Sequence, residues 1–297
     1  MSTEVPSNIT APLSPIMSPS EGRTKELESN LLRKHGISMS DLASQDQASI
    51  TLKVCGAKHV EQALSKFLTT NSEMLEMLRK AKTLALLKDP VIITGPSGVG
   101  KEIIAQAMHG TSTGDFLPLN CAAFSESLLE SDLFGHEKGA FTDAKTKKLG
   151  ALVEVGDGTV FLDEVDRMPI ALQSKLLRAI ENNEVRAVGS SKLTEISCRF
   201  VASAKEDLLE KVHKHQFLPD LYGRLMTFRL TLTGLEQRPE DIPYILSAEL
   251  RKVFPKEGYE KYLDIPPTYL PMIYRFNVRA LLSYVRHCVV FKEVPLV

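Results

Sequence analysis

Three things are scarce in this chain of 297 residues. Net charge is almost absent, since Lys and Arg number 36 and Asp and Glu 37, so no overall basic field points to a nucleic-acid partner. The four cysteines form no CxxC pair, which argues against a zinc site or a disulfide framework and favours a reducing cytosol. No apolar run approaches the roughly 18 residues that span a bilayer, and the N-terminus lacks the order of a signal peptide. These absences predict a cytoplasmic protein.

The first 66 residues carry weak structural signals. Residues 1–22 are rich in Ser, Thr and Pro, a composition typical of a disordered tail. A short helix is predicted over residues 24–35, and residues 49–56 allow a strand. We interpret residues 23–66 as a small N-terminal module or a linker.

From residue 67 onward, short apolar runs alternate with helical patterns. Strands are predicted at "PVIITG", "TVFLDE" (159–164) and "RFVASA" (199–204). Helices are predicted at "NSEMLEMLRKAKTLALL", "EIIAQAMH", "SESLLESDLFG" and "IALQSKLLRAIENN". This alternation predicts an α/β fold with a parallel sheet flanked by helices over residues 67–235. Residues 236–297 show short helical segments broken by Pro and are predicted to form a small helical subdomain.

The segment "GPSGVGK" lies between the first predicted strand and a helix. Its pattern, G-x-x-x-x-G-K, is typical of a loop whose backbone N–H groups cradle phosphates, with Lys101 reaching the outer ones. Glu102 follows where Ser or Thr usually binds magnesium. The nucleotide-binding residues predicted here are Gly95, Pro96, Ser97, Gly98, Val99, Gly100, Lys101 and Glu102.

Two carboxylates follow the second predicted strand, at the strand end where ligands of open α/β sheets gather. Asp163 is predicted to hold Mg²⁺ through water, and Glu164 to orient and deprotonate the attacking water. A carboxylate beside the metal ligand favours transfer to water, so we expect hydrolysis of the nucleotide rather than a kinase reaction.

With these residues, the chain resembles the AAA+ domain of bacterial enhancer-binding proteins, the ATPases that activate RNA polymerase carrying sigma-54. The resemblance runs from about residue 67 to the C-terminus. It rests on "GPSGVGKE", "LNCAAF", "LLESDLFGHEKGAFTDA", "GDGTVFLDEVDRMP", "LQSKLLRAIENNEVRAVGS", "RPEDIP" and "NVRALL", in the family's order. It implies an AAA+ P-loop fold with a helical lid, a ring-shaped homo-oligomer, and glutamate as a common residue at position 102.

The resemblance also implies roles for single residues. Asn120 matches the asparagine that pairs with the catalytic glutamate and couples hydrolysis to loop movement. Arg224 matches one of two arginines that reach the γ-phosphate of a neighbouring subunit. Arg279 matches the lid's sensor II arginine.

A loop with an aromatic residue lies among glycine and charged residues in "HEKGAFTDAKTKK", where no neighbour offers a core. The resemblance identifies it as the family's GAFTGA loop, which touches sigma-54 and moves with nucleotide state. We call it the partner loop; its residues are Gly139, Ala140, Phe141, Thr142, Asp143 and Ala144. The alternative is an ordinary surface loop with a partly buried Phe141.

The chain departs from the family pattern at functional positions. Leu218 stands in place of the first trans arginine, Ala204 in place of the sensor I polar residue, and Asp143 in place of the loop's second glycine. "YRFNVRAL" stands where the family has "WPGNVREL". Residues 280–297 are too few for the family's DNA-binding helix-turn-helix, so DNA binding is not evident.

Two hypotheses describe the function. The first is an ATP-hydrolysing regulator that remodels sigma-54 polymerase. The second is a nucleotide-gated binding protein or co-regulator with weak or no ATPase, favoured by Leu218, Ala204 and Asp143. A P-loop enzyme acting on a small molecule has little support, because no further pocket motif is present.

Overall fold

The computed structural model describes residues 57–110, 112, 114–142, 144–254 and 259–295. The chain divides into two units, residues 1–54 and 55–297, and all the described residues belong to the second. The predicted tail, the helix over 24–35 and the strand over 49–56 lie outside the described residues, as does Asp143. The domain boundaries at residues 66 and 235 stay predictions.

The second unit alternates helices and strands along its first two thirds and is mainly helical afterwards. The helices are α1 Ala57–Leu64, α2 Ser72–Leu84, α3 Lys101–His109, α4 Glu126–Phe134, α5 Ala151–Glu154, α6 Ile170–Asn182, α7 Leu208–His213, α8 Pro219–Leu225, α9 Asp241–Val253, α10 Leu270–Phe276 and α11 Val278–Phe291. The strands are β1 Val91–Thr94, β2 Phe116–Asn120, β3 Gly135–His136, β4 Lys148–Leu149, β5 Thr159–Asp163, β6 Glu184–Arg186, β7 Leu193–Glu195, β8 Arg199–Ala204 and β9 Phe228–Thr231.

Five strands form one parallel sheet in the order β2-β5-β8-β1-β9. The three strands predicted from apolar runs, β1, β5 and β8, are confirmed and occupy its centre, where both faces are covered. The edge strands β2 and β9 were not predicted, because Pro118 interrupts the first and Arg229 and Thr231 make the second partly polar.

Neighbouring residues of the central strands enter different apolar clusters, because successive side chains of a strand point to opposite faces. Ile92 packs with α4 and α6, whereas Val91 and Ile93 pack with α1, α2 and α3. A third cluster lies within residues 235–288. Of the helices described, none is long and apolar enough to cross a membrane.

The "RPEDIP" motif ties the start of this unit to α9. Arg238 and Asp241 are both fully buried and form an ion pair of 2.9 Å between Nη1 and Oδ2. Asp241 also accepts hydrogen bonds from Thr69 Oγ1 (2.6 Å) and from the backbone N–H of Thr70 (2.6 Å). The carboxylate therefore holds the segment before α2 against the helical region.

Candidate nucleotide site

The phosphate loop leaves β1 and turns directly into α3. Its three glycines have positive φ values of 149° at Gly95, 75° at Gly98 and 105° at Gly100. At Gly98 a Cβ atom would lie 2.2 Å from the carbonyl oxygen of Phe276, so the lid backbone packs where only glycine leaves room. The loop needs glycine both for its curl and for contact with the lid.

Lys101 is folded back along the loop. Its Nζ donates to the carbonyl oxygens of Gly95 (2.8 Å) and Pro96 (3.0 Å). Burial lowers the pKa of Lys101, and the nearby carboxylates of Asp163 and Glu164 oppose that shift. A phosphate group between Lys101 and the loop N–H groups would supply a further opposing charge.

The carboxyl end of β5 brings two of the predicted residues together. Asn120 and Asp163 are register partners on β2 and β5, and Asn120 Nδ2 donates to Asp163 Oδ2 at 3.4 Å. On the other side, Ser203 of β8 donates from Oγ to Asp163 Oδ1. Both carboxylate oxygens thus have a neutral donor from a neighbouring strand. The hydrogen bonds of the described residues include none between Asn120 and Glu164, so their pairing stays a prediction.

Glu164 turns the chain sharply after β5. Its backbone is left-handed, with φ 54° and ψ 48°, a conformation that is costly for a residue with a Cβ. Its N–H donates to Ser203 Oγ at 3.1 Å, whereas its carboxylate has no hydrogen-bond partner among the described residues. The carboxylate is therefore free to bind a water molecule.

The lid contacts the phosphate loop through two side chains of the "NVRALL" motif. Asn277 is almost fully buried; it accepts from the N–H of Leu235 (2.7 Å) and donates to the carbonyl oxygen of Ser97 (3.0 Å). Arg279 donates to Ser97 Oγ at 3.4 Å. This contact places Arg279 beside the phosphate loop, and its role as the sensor II arginine stays a prediction.

Arg224 is not joined to the phosphate loop within this chain. It lies on α8, is largely exposed and contacts Glu181 of α6, with Nε and Nη2 each 3.1 Å from Oε1. Leu218 is the N-cap residue just before the same helix and packs against the first apolar cluster, and Ala204 is fully buried. Neither side chain offers a hydrogen-bond donor.

The partner loop closes on itself through backbone hydrogen bonds. The N–H of Gly139 donates to the carbonyl of Ala144 (2.8 Å), and the N–H of Ala144 donates to that of Phe141 (2.9 Å). Thr142 is exposed, and Phe141 is 39% exposed. The Phe141 ring meets the His136 ring edge-on, with centroids 4.9 Å apart. Phe141 is therefore partly exposed and partly packed, between the two sequence interpretations.

His136 supports this loop from a buried position. Its Nδ1 lies 2.7 Å from Ser131 Oγ, and its Nε2 lies 3.0 Å from the carbonyl oxygen of Thr146. A carbonyl only accepts, so Nε2 carries the proton, and in the neutral ring the Ser131 hydroxyl then donates to Nδ1. The sequence reasoning did not identify His136, although its place just before the loop was a possible signal.

A small cleft of about 100 Å³ lies beside the phosphate loop. Apolar residues from the segment before α2, from α3 and from the lid line it, and Arg238 closes one side. The apolar lining consists of Phe67, Leu68, Val99, Ile103, Ile245, Val278 and Leu282. The sequence reasoning missed this cleft, because its walls come from four separate segments, 66–68, 99–103, 238–249 and 278–282, that no single motif covers.

Comparisons with known proteins agree with this geometry. The family described as the sigma-54 interaction domain matches residues 67–231. The regulatory protein AtoC of Escherichia coli (strain K12) is 37% identical over 253 residues, covering 81% of this chain and 55% of AtoC. The transcriptional regulatory protein ZraR of Salmonella typhimurium is 38% identical over 224 residues, which cover 73% of this chain and 51% of ZraR. The chain thus spans about half the length of these relatives.

A solved structure, NtrX from Brucella abortus in complex with ATP, superimposes with a TM-score of 0.66 at 27% identity. The match covers 80% of this chain and 54% of NtrX. The predicted AAA+ α/β fold class is therefore confirmed.

Proposed function

Because the chain belongs to the sigma-54 interaction domain family, we propose that it hydrolyses ATP to remodel RNA polymerase carrying sigma-54. One observation carries this proposal: Asp163 and Glu164 lie at the same carboxyl end of the sheet as Lys101. Bacterial transcription takes place in the cytoplasm, where we therefore expect the protein to act.

The seat for ATP combines three parts. The N–H groups of the phosphate loop and the N-terminus of α3 take the phosphates, with Lys101 bound to the outer ones. The apolar cleft beside Gly100 takes the base, since a flat heterocycle gains from apolar walls. Arg279, already at Ser97, would contact the phosphates from the lid. NtrX, which was solved with ATP, supports this seat.

Mg²⁺ fits the donor set at the sheet edge. Asp163 presents hard carboxylate oxygens whose direction is fixed by Asn120 and Ser203, and Mg²⁺ prefers such oxygen ligands. Glu102 supplies no hydroxyl, so Asp163 would hold the ion through water. The ion would supply neutralisation of charge on the phosphates.

Hydrolysis then needs an oriented water and compensation of charge. The carboxylate of Glu164 has no competing hydrogen bond among the described residues, so it is free to orient the water and take its proton. Lys101 neutralises the charge of the outer phosphates. Arg224 would leave Glu181 and reach the nucleotide of a neighbouring subunit, which requires a homo-oligomer, in our proposal a ring.

We assign the partner loop to the contact with sigma-54. Phe141 and Thr142 are both accessible, and Phe141 belongs to none of the three apolar clusters of the described residues. An aromatic ring that is partly exposed gains by packing against another protein. Asp143 would place a carboxylate beside this contact and weaken it unless the partner pairs with the charge.

A second candidate function is supported by Leu218 and Ala204. By the family resemblance, Leu218 and Ala204 stand at positions where the family carries polar groups; here Leu218 packs against the first apolar cluster and Ala204 is buried. An arginine finger contributes about 10³-fold or more to phosphoryl transfer. A chain without one of its two arginines would be a nucleotide-gated binding protein with little turnover.

The rate of ATP hydrolysis across a wide range of protein concentration separates the two functions. Glu164→Gln is the control, since it keeps the shape of the side chain and removes the base. We expect a rate per subunit that rises with concentration and disappears in the control, because subunits complete each other's sites through Arg224. Tight ATP binding with negligible turnover at every concentration would contradict the motor function and support the second candidate.

A further inference from the structure

Ser203 is a buried polar side chain beside Asp163 and Glu164 that no sequence motif singled out. Leu162 of β5 pairs with Ala202 of β8, so the next residues on the two strands, Asp163 and Ser203, lie side by side. Ser203 is fully buried at the carboxyl end of β8. Its position is therefore fixed by the sheet and not by a mobile loop.

The Ser203 hydroxyl makes two hydrogen bonds of opposite direction. It donates to Asp163 Oδ1 and accepts from the backbone N–H of Glu164 at 3.1 Å. The first bond turns the Asp163 carboxylate, whose other oxygen faces Asn120 Nδ2. The second holds the peptide that gives Glu164 its left-handed backbone. One hydroxyl thus connects both acidic residues.

Ala204, the next residue, has no polar atom in its side chain. Successive residues of a strand point to opposite faces, so a hydroxyl at position 203 cannot contact what a side chain at 204 would contact. The chain instead directs a hydroxyl at the carboxylates themselves. A neutral donor does this without cancelling the negative charge that a cation needs.

We propose that Ser203 is a positioning residue that fixes the direction of the Asp163 carboxylate and the left-handed turn at Glu164. This inference rests on the proposed function, because it assigns Asp163 to Mg²⁺ and Glu164 to the attacking water. Partners that orient metal ligands in this way change metal affinity or activity by about 10- to 100-fold when they are removed.

The test measures Mg²⁺-linked nucleotide binding in the full chain. A fluorescent ADP analogue is titrated without Mg²⁺, in EDTA, and then across a series of Mg²⁺ concentrations. We expect Ser203→Ala to bind the analogue in EDTA within about twofold of the wild type while needing about 10- to 100-fold more Mg²⁺ for the tighter binding. Ser174→Ala, at an exposed serine of α6, is the matched control and should behave as the wild type.

Two further variants separate positioning from packing. Ser203→Thr keeps the hydroxyl and should restore the Mg²⁺ response, whereas Ser203→Cys fills a similar volume with a weak donor and should not. The second readout is turnover, where we expect Ser203→Ala to lower kcat by about 10- to 100-fold with little change in KM.

The outcomes are distinct. Equal Mg²⁺ responses in the wild type and Ser203→Ala, or an equal response in Ser203→Cys, would overturn the inference. So would a wild type whose nucleotide affinity ignores Mg²⁺, since Asp163 would then hold no ion. A wild type that binds no nucleotide either in EDTA or at any Mg²⁺ concentration would overturn the proposed function first, and the inference with it.

Discussion

At the carboxyl edge of the sheet, Asp163 is held by donors from the strands on both sides, whereas Phe141 in the partner loop meets one histidine ring. The edge includes a buried strand and Gly98, which packs against the lid backbone at Phe276. The partner loop has backbone hydrogen bonds across its own turn and exposed side chains at its tip.

The difference suggests a division of labour. A site for phosphoryl transfer needs fixed directions for its charged groups, and the edge provides them through the sheet register. A loop that engages a partner and moves must have few contacts that movement would break. The partner loop meets this condition. We expect changes at the edge to act on chemistry and changes at the loop to act on partner binding.

The largest expected effect comes from exchanging one residue in each region. Glu164→Gln should lower ATP turnover by about 10²- to 10⁴-fold, because it removes the proposed base for the attacking water. Phe141→Ala should leave turnover within about twofold and abolish sigma-54 binding, since it removes a contact residue alone. Steady-state hydrolysis and a pull-down with sigma-54 check both. Loss of turnover in Phe141→Ala would break the comparison.

Thiol chemistry gives a second contrast between the regions. Cys121 follows β2 at the edge, and burial raises its pKa to about 12, with the negative charge of Asp163 adding to the shift. A cysteine placed at the exposed loop position by Phe141→Cys has an ordinary pKa of about 8.5. At pH 8 the loop cysteine should react with a thiol reagent about 10³-fold faster than Cys121, because more of it is thiolate. Labelling and mass spectrometry measure both rates. Comparable labelling rates for the two cysteines would mean that the carboxyl edge of the sheet opens easily and exposes Cys121.

The buried ion pair at the cleft provides a third comparison, in stability. Asp241→Ala leaves Arg238 buried without its partner, so we expect the free energy of unfolding to fall by about 3–5 kcal/mol, as measured by chemical denaturation. Asp264→Ala, at an exposed position of the lid, is the control. A change equal to the control would contradict the role given to the pair.

The Asp241 carboxylate also leads to a prediction about acid denaturation. Burial raises the pKa of Asp241, but hydrogen bonds from Thr69, Thr70 and Arg238 outweigh this and lower it overall from the ordinary value of 3.8. A lowered folded-state pKa contributes stability that is fully present above the unfolded value and is lost as the pH falls through the folded value. As the pH falls below the ordinary value of 3.8, the wild type should therefore lose more of its free energy of unfolding than Asp241→Ala does. Parallel losses in the two proteins would mean that the carboxylate is not held in its charged form.

The smallest effect concerns the support of the partner loop. His136→Ala leaves Ser131 and the Thr146 carbonyl without their partner and should cost about 1–3 kcal/mol in the free energy of unfolding. It should also speed trypsin cleavage at the lysines beside the loop, with His59→Ala as the control at an exposed histidine. Unchanged cleavage would mean that the loop does not depend on His136.

Much of the fold could be predicted from local pattern. The central strands are short apolar runs, and α2 begins after a residue type typical of helix caps, Asn71, whose Oδ1 accepts from the N–H groups of Glu73 and Met74. Strands β2 and β9 were missed because an edge strand carries Pro or polar residues that weaken its pattern. The nearness of Asn120 to Asp163 agrees with the rule that ligands gather at strand ends.

The remaining features depend on tertiary contacts that no local pattern contains. Ser203 reaches Asp163 only because β8 lies beside β5 in register. The cleft needs Phe67, Ile103 and Leu282 from three separate segments. The pairing of Arg224 with Glu181 links α8 to α6 and has no sequence signature.

The central claim, that the proposed nucleotide site acts through the partner loop as the family resemblance implies, is tested most directly with a single fluorophore. The chain contains no tryptophan, so Phe141→Trp gives an emission that reports on the loop alone. We predict that ATP with Mg²⁺ shifts this emission, and that adding Lys101→Ala abolishes the shift because the phosphates lose their cation. An emission unchanged by saturating nucleotide would contradict the claim.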